Sequence, residues 1–253
     1  MLRNVARGLD TVEYPKDALA ALSVRYSMPE WILKKWLTEY DRETVETMLA
    51  DFQKEKPVTI RCNINRCLPE ELEARLESEG VKAVRHLYLP YAYRITGYDY
   101  LGDMESFREG LFAVQDVSSM LVGEIADPKQ GDYIIDVCAA PGGKSIHLAD
   151  RLSGTGHVDA RDLTEYKTSL IRDNIDRMQM KNISAVQMDA SVLDAASVEK
   201  ADIVIADLPC SGLGVLGRKT DLKYRTTEKQ TEELVLLQRK ILDVVCSLSL
   251  IHI

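Results

Sequence analysis

Cysteine is scarce and unpatterned in this chain: Cys62, Cys67, Cys138, Cys210 and Cys246 are five in number and form no CxxC pair. An odd count without that spacing argues against a zinc site or a disulfide framework, so no metal is expected and a reducing, cytoplasmic setting fits. Positive charge is also lacking. The formal net charge is −8 and neither end carries a basic tail, so a nucleic-acid partner has to be met by a local patch. No apolar run approaches the length needed to cross a bilayer, and Met1–Arg7 has no long apolar core of the signal-peptide kind. Aromatics make up 6% of the chain, and the four histidines (His86, His147, His157, His252) are scattered rather than spaced as ligands. What remains, 45% hydrophobic and 28% charged over 253 residues, is an ordinary globular composition with material for one or two cores.

The chain falls into three stretches. Residues 1–56 read as helical, with a capping-box spacing at Ser27-Met28-Pro29-Glu30 and an apolar face of Ile32, Leu33, Trp36 and Leu37. Lys56-Pro57 marks a boundary. Residues 57–109 read as a small α+β module: a strand at Val58–Ile64, a helix from Pro69 closed by Gly80, and strands between Val81 and Ile95. Its Arg61, Arg66, Lys82, Arg85 and Arg94 could meet phosphates, with Tyr88, Tyr91 and Tyr93 available for stacking. A solvated sheet face accounts for the same residues.

From residue 110 onward strands and helices alternate, which implies a parallel sheet of the doubly wound α/β kind. Strands are expected at Tyr133–Cys138, His157–Arg161, Ile183–Met188 and Ala201–Ala206, with helices at Val117–Ala126, Lys144–Leu152 and Thr164–Met180, a short one near Val192 and a last one from Glu228. The apolar strand Ala201–Ala206 suits a central position buried on both faces. The tail Ser247–Ile253 offers no convincing next strand to cover its far edge, so the chain reads as cut short.

The candidate site is the corner where the first of these strands turns into its helix. Cys138, Ala139, Ala140, Pro141, Gly142, Gly143 and Lys144 are small or conformationally permissive residues leading to a helix start, where free N–H groups favour polar and anionic ligand atoms. Asp162 ends the second strand about twenty residues on, the place from which a carboxylate reaches ribose hydroxyls. Asp189 ends the third strand and Asp207 the fourth. Three aspartates at the carboxyl edge of one sheet point to a nucleoside-type ligand rather than to helix caps alone. Gly143-Lys144-Ser145 also ends like a P-loop, but Cys138 stands where that motif needs glycine, and a full GxGxxG is lacking. A P-loop-like nucleotide hydrolase stays a minor alternative.

The segments Asp136-Val137-Cys138-Ala139-Ala140-Pro141-Gly142-Gly143-Lys144 and Asp207-Leu208-Pro209-Cys210-Ser211-Gly212-Leu213-Gly214 closely resemble the Sun-type bacterial ribosomal RNA cytosine-C5 methyltransferases, which use S-adenosylmethionine. Gln115–Ser119 and Arg218–Lys223 resemble further family segments, with Thr220 where proline is more usual. Met1 to about Phe52 resembles the end of an all-helical RNA-binding domain of the NusB type. The resemblance implies a Rossmann-like methyltransferase domain at 110–253 and a partial helical domain at 1–56. It implies S-adenosylmethionine held by residues 138 to 144 and by Asp162 and Asp189, with Asp207 between cofactor and target base. It implies ribosomal RNA as the partner of a monomer. Cys210 would serve product release, because the family nucleophile lies in a later Thr-Cys-Ser segment that this chain is expected to lack. Cys246-Ser247 imitates that segment but falls on the last helix. A non-catalytic RNA-binding protein that keeps the fold is the alternative from another class.

Overall fold

The computed structural model describes residues 13–54 and 56–249. The helical reading of residues 1–12 and the end of the tail lie outside the described residues. Contacts divide the chain into two units, one of residues 1–56 with 210–234 and one of residues 57–209 with 235–253.

The first unit packs three helices, α1 (Ala18–Tyr26), α2 (Glu30–Glu39) and α3 (Arg42–Phe52), around Leu22, Met28, Ile32, Leu33, Val45, Leu49 and Leu216. Trp31 and Trp36 pack against this core, as their apolar spacing implies. The capping box expected at Ser27 does not form. Ser27 instead closes α1 in a left-handed conformation (φ 53°), its Oγ lies 2.8 Å from Tyr224 Oη, and Pro29 precedes α2 without a side-chain cap. A proline pre-set at φ −55° can open a helix without one. By contrast, the capping box at Thr227 forms: Gln230 N donates to Thr227 Oγ1 (3.3 Å), and Thr227 N donates to Gln230 Oε1 (2.9 Å).

The second unit contains two four-stranded sheets. The antiparallel sheet is built from β1 (Val58–Cys62), β2 (Lys82–Arg85), β3 (Ala92–Thr96) and β4 (Phe112–Val114), in the order β2-β3-β1-β4, with helix α4 (Pro69–Ser78) covering one face through Leu72 and Leu76. Strand β4 is unexpected from the sequence. Its three residues are too few to show a period, and only pairing with β1 defines it.

Helix α5 (Val117–Ala126) leads to the parallel sheet of β5 (Tyr133–Asp136), β6 (His157–Asp162), β7 (Ile183–Gln187) and β8 (Ile203–Ile205). Its order is β7-β6-β5-β8, with α6 (Gly143–Arg151) after β5 and α7 (Glu165–Met178) after β6. The α/β expectation holds for this Rossmann-like sheet. No α-helix forms near Val192; a 3₁₀ turn at Ala195–Ser197 stands in its place. Nor is β8 central among these strands: it ends the order, with Ile203 and Val204 half-buried. Beyond it, after α8 (Glu228–Val245), Leu248 is buried and Ser249 makes a parallel bridge to Ala201, so the tail supplies a strand-like contact that its sequence conceals. Among the described residues no helix is long and apolar enough to cross a membrane.

Candidate functional site

The strand order reverses at β5: the chain runs from β5 out through β6 to β7, then returns to the other side of β5 as β8. Ligands of open α/β sheets bind outside the carboxyl ends of the strands at that reversal. The loop from Val137 to Gly143 sits there. The bonds that hold it are Ala139 N to Arg161 O (2.8 Å), Gly142 N to Ala139 O (2.7 Å) and Asn174 Nδ2 to Pro141 O (3.1 Å). Gly142 has φ +103°, a conformation open to glycine, and a β-carbon there would press on Ile146 Cδ1 (3.3 Å) and Ile171 Cγ2 (3.4 Å). At Gly143 a β-carbon would meet only open space. The loop therefore turns tightly and opens α6, whose first N–H groups have no partner within the helix.

Four carboxylates follow the strands. Asp136, the last residue of β5, is 1% exposed; its Oδ2 accepts from Ser145 Oγ (2.6 Å) and its Oδ1 from Cys138 N (3.4 Å). Burial pushes its carboxyl up to about 6, against the pull of the Ser145 hydroxyl. Asp162 ends β6 and is 3% exposed; its carboxylate accepts from Ala140 N (3.0 Å) and Leu163 N (2.8 Å) and pairs with Lys167 Nζ (3.0 Å). Asp189, just past β7, is exposed and accepts from Ser191 N (2.8 Å), a bond that holds its carboxyl below the ordinary range. Asp207, just past β8, is exposed and pairs with Lys144 Nζ (2.6 Å). Burial, with the Asp162 carboxylate nearby, raises the Cys138 thiol to about 11, so Cys138 is a neutral loop residue at ordinary pH.

The structure thus brings Cys138–Lys144, Asp162 and Asp207 into one bonded network. The Asp189 carboxylate closes its own turn instead. Cys210 is exposed and belongs to the first unit. Cys246 is exposed in the turn that follows α8, its N–H still bonded to Leu242 O (3.1 Å). Among the described residues no group of three or more His, Cys, Asp or Glu is placed to hold a metal ion.

Several residues read as nucleic-acid contacts have other work. Arg61 is fully buried; its Nη1 pairs with Asp150 Oδ2 on α6 (2.5 Å) and its Nε donates to Gln115 Oε1 (2.9 Å). Arg85 is taken by Glu70 and Glu73, and Arg66 donates to Gln179. Tyr93 is fully buried, and the Tyr91 hydroxyl donates to Glu124. Of the tyrosines read as stacking platforms, Tyr88 alone stays open, at 79% exposure. The sequence reading missed Arg161, which lies one residue before Asp162, and Ser145, fully buried beneath Asp136. The alternation of Asp159 and Arg161 with the apolar Val158 and Ala160 in one strand was the available signal for the first.

Known proteins resemble this chain over most of its length. Residues 124–249 match the model of the 16S rRNA methyltransferase RsmB/F family, and residues 28–98 match that of its ferredoxin-like domain. The chain belongs to the RsmB/F methyltransferase family. A relative from Bacillus subtilis (strain 168), named "Probable ribosomal RNA small subunit methyltransferase B", is 32% identical over 250 residues, which are 98% of this chain and 56% of the relative. The crystal structure of PH0851 superposes with a TM-score of 0.88 at 28% identity, covering 97% of this chain and 56% of that one. That of NSun6 from Pyrococcus horikoshii with SFG gives 0.75 at 22% identity, covering 93% and 80%, a likeness of fold. The chain spans about half the length of the curated relatives that it matches.

Proposed function

We propose that this chain is the cofactor-binding part of an S-adenosylmethionine-dependent ribosomal RNA methyltransferase. One observation carries the reading: the loop that matches the RsmB/F family stands at the carboxyl edge of the parallel sheet, at the strand-order reversal, with carboxylates after each neighbouring strand. The residues present fit the cofactor. The open start of α6, with space beside Gly143, suits a carboxylate, and Asp162 and Asp189 are acceptors for hydroxyls and an exocyclic amine. For Asp162 to take a ribose hydroxyl, the Lys167 ammonium has to yield, and that side chain is 46% exposed. Lys144 holds Asp207 toward the loop, on the side where the target base enters in this reading.

The bound cofactor supplies an electrophilic methyl group. The finer reading is transfer to carbon 5 of a cytosine. A thiolate would add to carbon 6, carbon 5 would take the methyl group with S-adenosylhomocysteine as the leaving group, and a base would remove the carbon 5 proton as the thiolate is expelled. The base must first leave its stack. By the family resemblance the attacking thiol comes from a Thr-Cys-Ser segment, and Cys210 serves product release. The antiparallel module and the helical unit would contact the RNA.

Calorimetric titration tests the core of this proposal. Saturable binding of S-adenosylmethionine with none of ATP–magnesium is the expected result. ATP–magnesium binding that is lost in Lys144→Ala would replace it with the P-loop reading. Mass spectrometry of incubated ribosomal RNA for 5-methylcytosine tests the finer step.

A further inference from the structure

We propose that Arg161 is a positioning residue that fixes the nucleoside end of the cofactor site; the inference rests on the S-adenosylmethionine reading above. Arg161 lies in β6 directly before Asp162 and is 4% exposed. Its backbone holds one wall of the site, since its carbonyl accepts from Ala139 N. Its side chain leaves the opposite face of the strand and reaches the segment after β7. Nη2 donates to Ser197 Oγ (2.7 Å) and Asp159 Oδ2 (3.0 Å), and Nη1 reaches Met188 Sδ (3.1 Å) and Asp194 Oδ2 (3.5 Å). Met188 and Asp194 bracket Asp189. Besides the backbone bond from Met188 N to Asp162 O (2.9 Å), a buried cation therefore ties the strand that ends in Asp162 to both flanks of Asp189.

That loop needs such an anchor. It does not pin itself by apolar burial: Val192 is 60% exposed and Leu193 49%. A guanidinium buried this far gives up most of its hydration, so its fork of donors is used for geometry rather than for packing alone. The Arg161 Nε has no hydrogen-bond partner, and Arg161, Met188, Asp189 and Asp194 share with apolar side chains such as Val137 and Leu248 the lining of a cavity of about 10 Å³. The guanidinium pairs with two carboxylates, Asp159 and Asp194, so its charge is fully compensated. The ladder bond from Met188 N to Asp162 O (2.9 Å) sets the start of this segment, and the guanidinium holds the part beyond Asp189 against β6, between the acceptor for the ribose and the acceptor for the base. It touches nothing at the methionine end except through the Ala139 backbone.

Titration calorimetry on the intact chain decides the matter, with S-adenosylmethionine and 5′-methylthioadenosine as probes. The second probe has the nucleoside and lacks the amino-acid portion. Arg161→Lys keeps the charge and loses the fork. With circular dichroism and the unfolding midpoint near wild type, it should weaken both probes by the same factor, about tenfold or more for the loss of charged hydrogen bonds. Wild-type affinity for both, or a loss confined to S-adenosylmethionine, overturns the proposal. Should Arg161→Lys not fold, Ser197→Ala and Asp194→Asn cut the same link from the loop side. There a severalfold equal loss supports the proposal and unchanged affinity overturns it. A wild-type chain that is folded yet silent toward S-adenosylmethionine overturns the reading beneath it, before any variant is made.

Discussion

The buried carboxyl of Asp136 should make the stability of this protein depend on pH in a direction opposite to the common one. Its ordinary value is 3.8 and burial lifts it to about 6 in the folded chain, so between those values the native state holds a proton that the unfolded state has lost. Stability from this group is therefore complete below 3.8 and is lost as pH rises through 6. The gap, at about 1.4 kcal/mol per pH unit, is about 3 kcal/mol, all of it missing at pH 8. Asp136→Asn keeps the shape and removes the titration. Its amide oxygen can still accept from Ser145 Oγ, while its amide NH₂ loses the fit to Cys138 N, a constant cost at every pH. The assay is the urea midpoint of wild type and variant at pH 4.5, 6 and 8, followed by far-ultraviolet circular dichroism. Because part of the gap is already lost at pH 4.5, the stability of the variant relative to wild type should rise by about 2 kcal/mol from the first pH to the last. A difference that stays flat with pH would refute the reasoning, because a constant offset reports packing and hydrogen bonds alone.

The other expectations are simpler. Asp150→Asn leaves the buried Arg61 guanidinium uncompensated and should destabilise by about 3–5 kcal/mol in chemical denaturation, whereas the joint change Arg61→Met with Asp150→Leu should cost far less. Gly123→Ala drives a β-carbon to 2.6 Å from His147 Nδ1 between two packed helices, and a loss of about 1–3 kcal/mol in thermal unfolding is expected. Asp162→Ala should weaken S-adenosylmethionine by up to about a hundredfold in calorimetry, and unchanged affinity would show that the ribose lies elsewhere.

The parts of this protein that were legible in its sequence are those whose signals are local. A run of Tyr133-Ile134-Ile135 followed by small residues and an amphipathic helix can fold into little other than a strand, tight loop and helix. The regular return of such units implies a parallel sheet, and with it the edge at which the aspartates stand. The Thr227 capping box was legible for the same reason, since its partners are three residues apart. Tertiary structure alone decided what depends on distant partners. Ser27 lost its expected cap to a contact with Tyr224, 197 positions away. Phe112–Val114 became a strand only through β1. Arg61, which by type could meet a phosphate or face solvent, was claimed by Asp150, 89 residues on, once folding removed both from water. Arg161 likewise shows its role only when the segment around Asp194 and Ser197 is folded back against β6. Short-range periodicity fixes which elements form, because each residue there meets neighbours a few positions away. Which charge pairs with which is settled by burial, and burial is a property of the assembled sheets and helices.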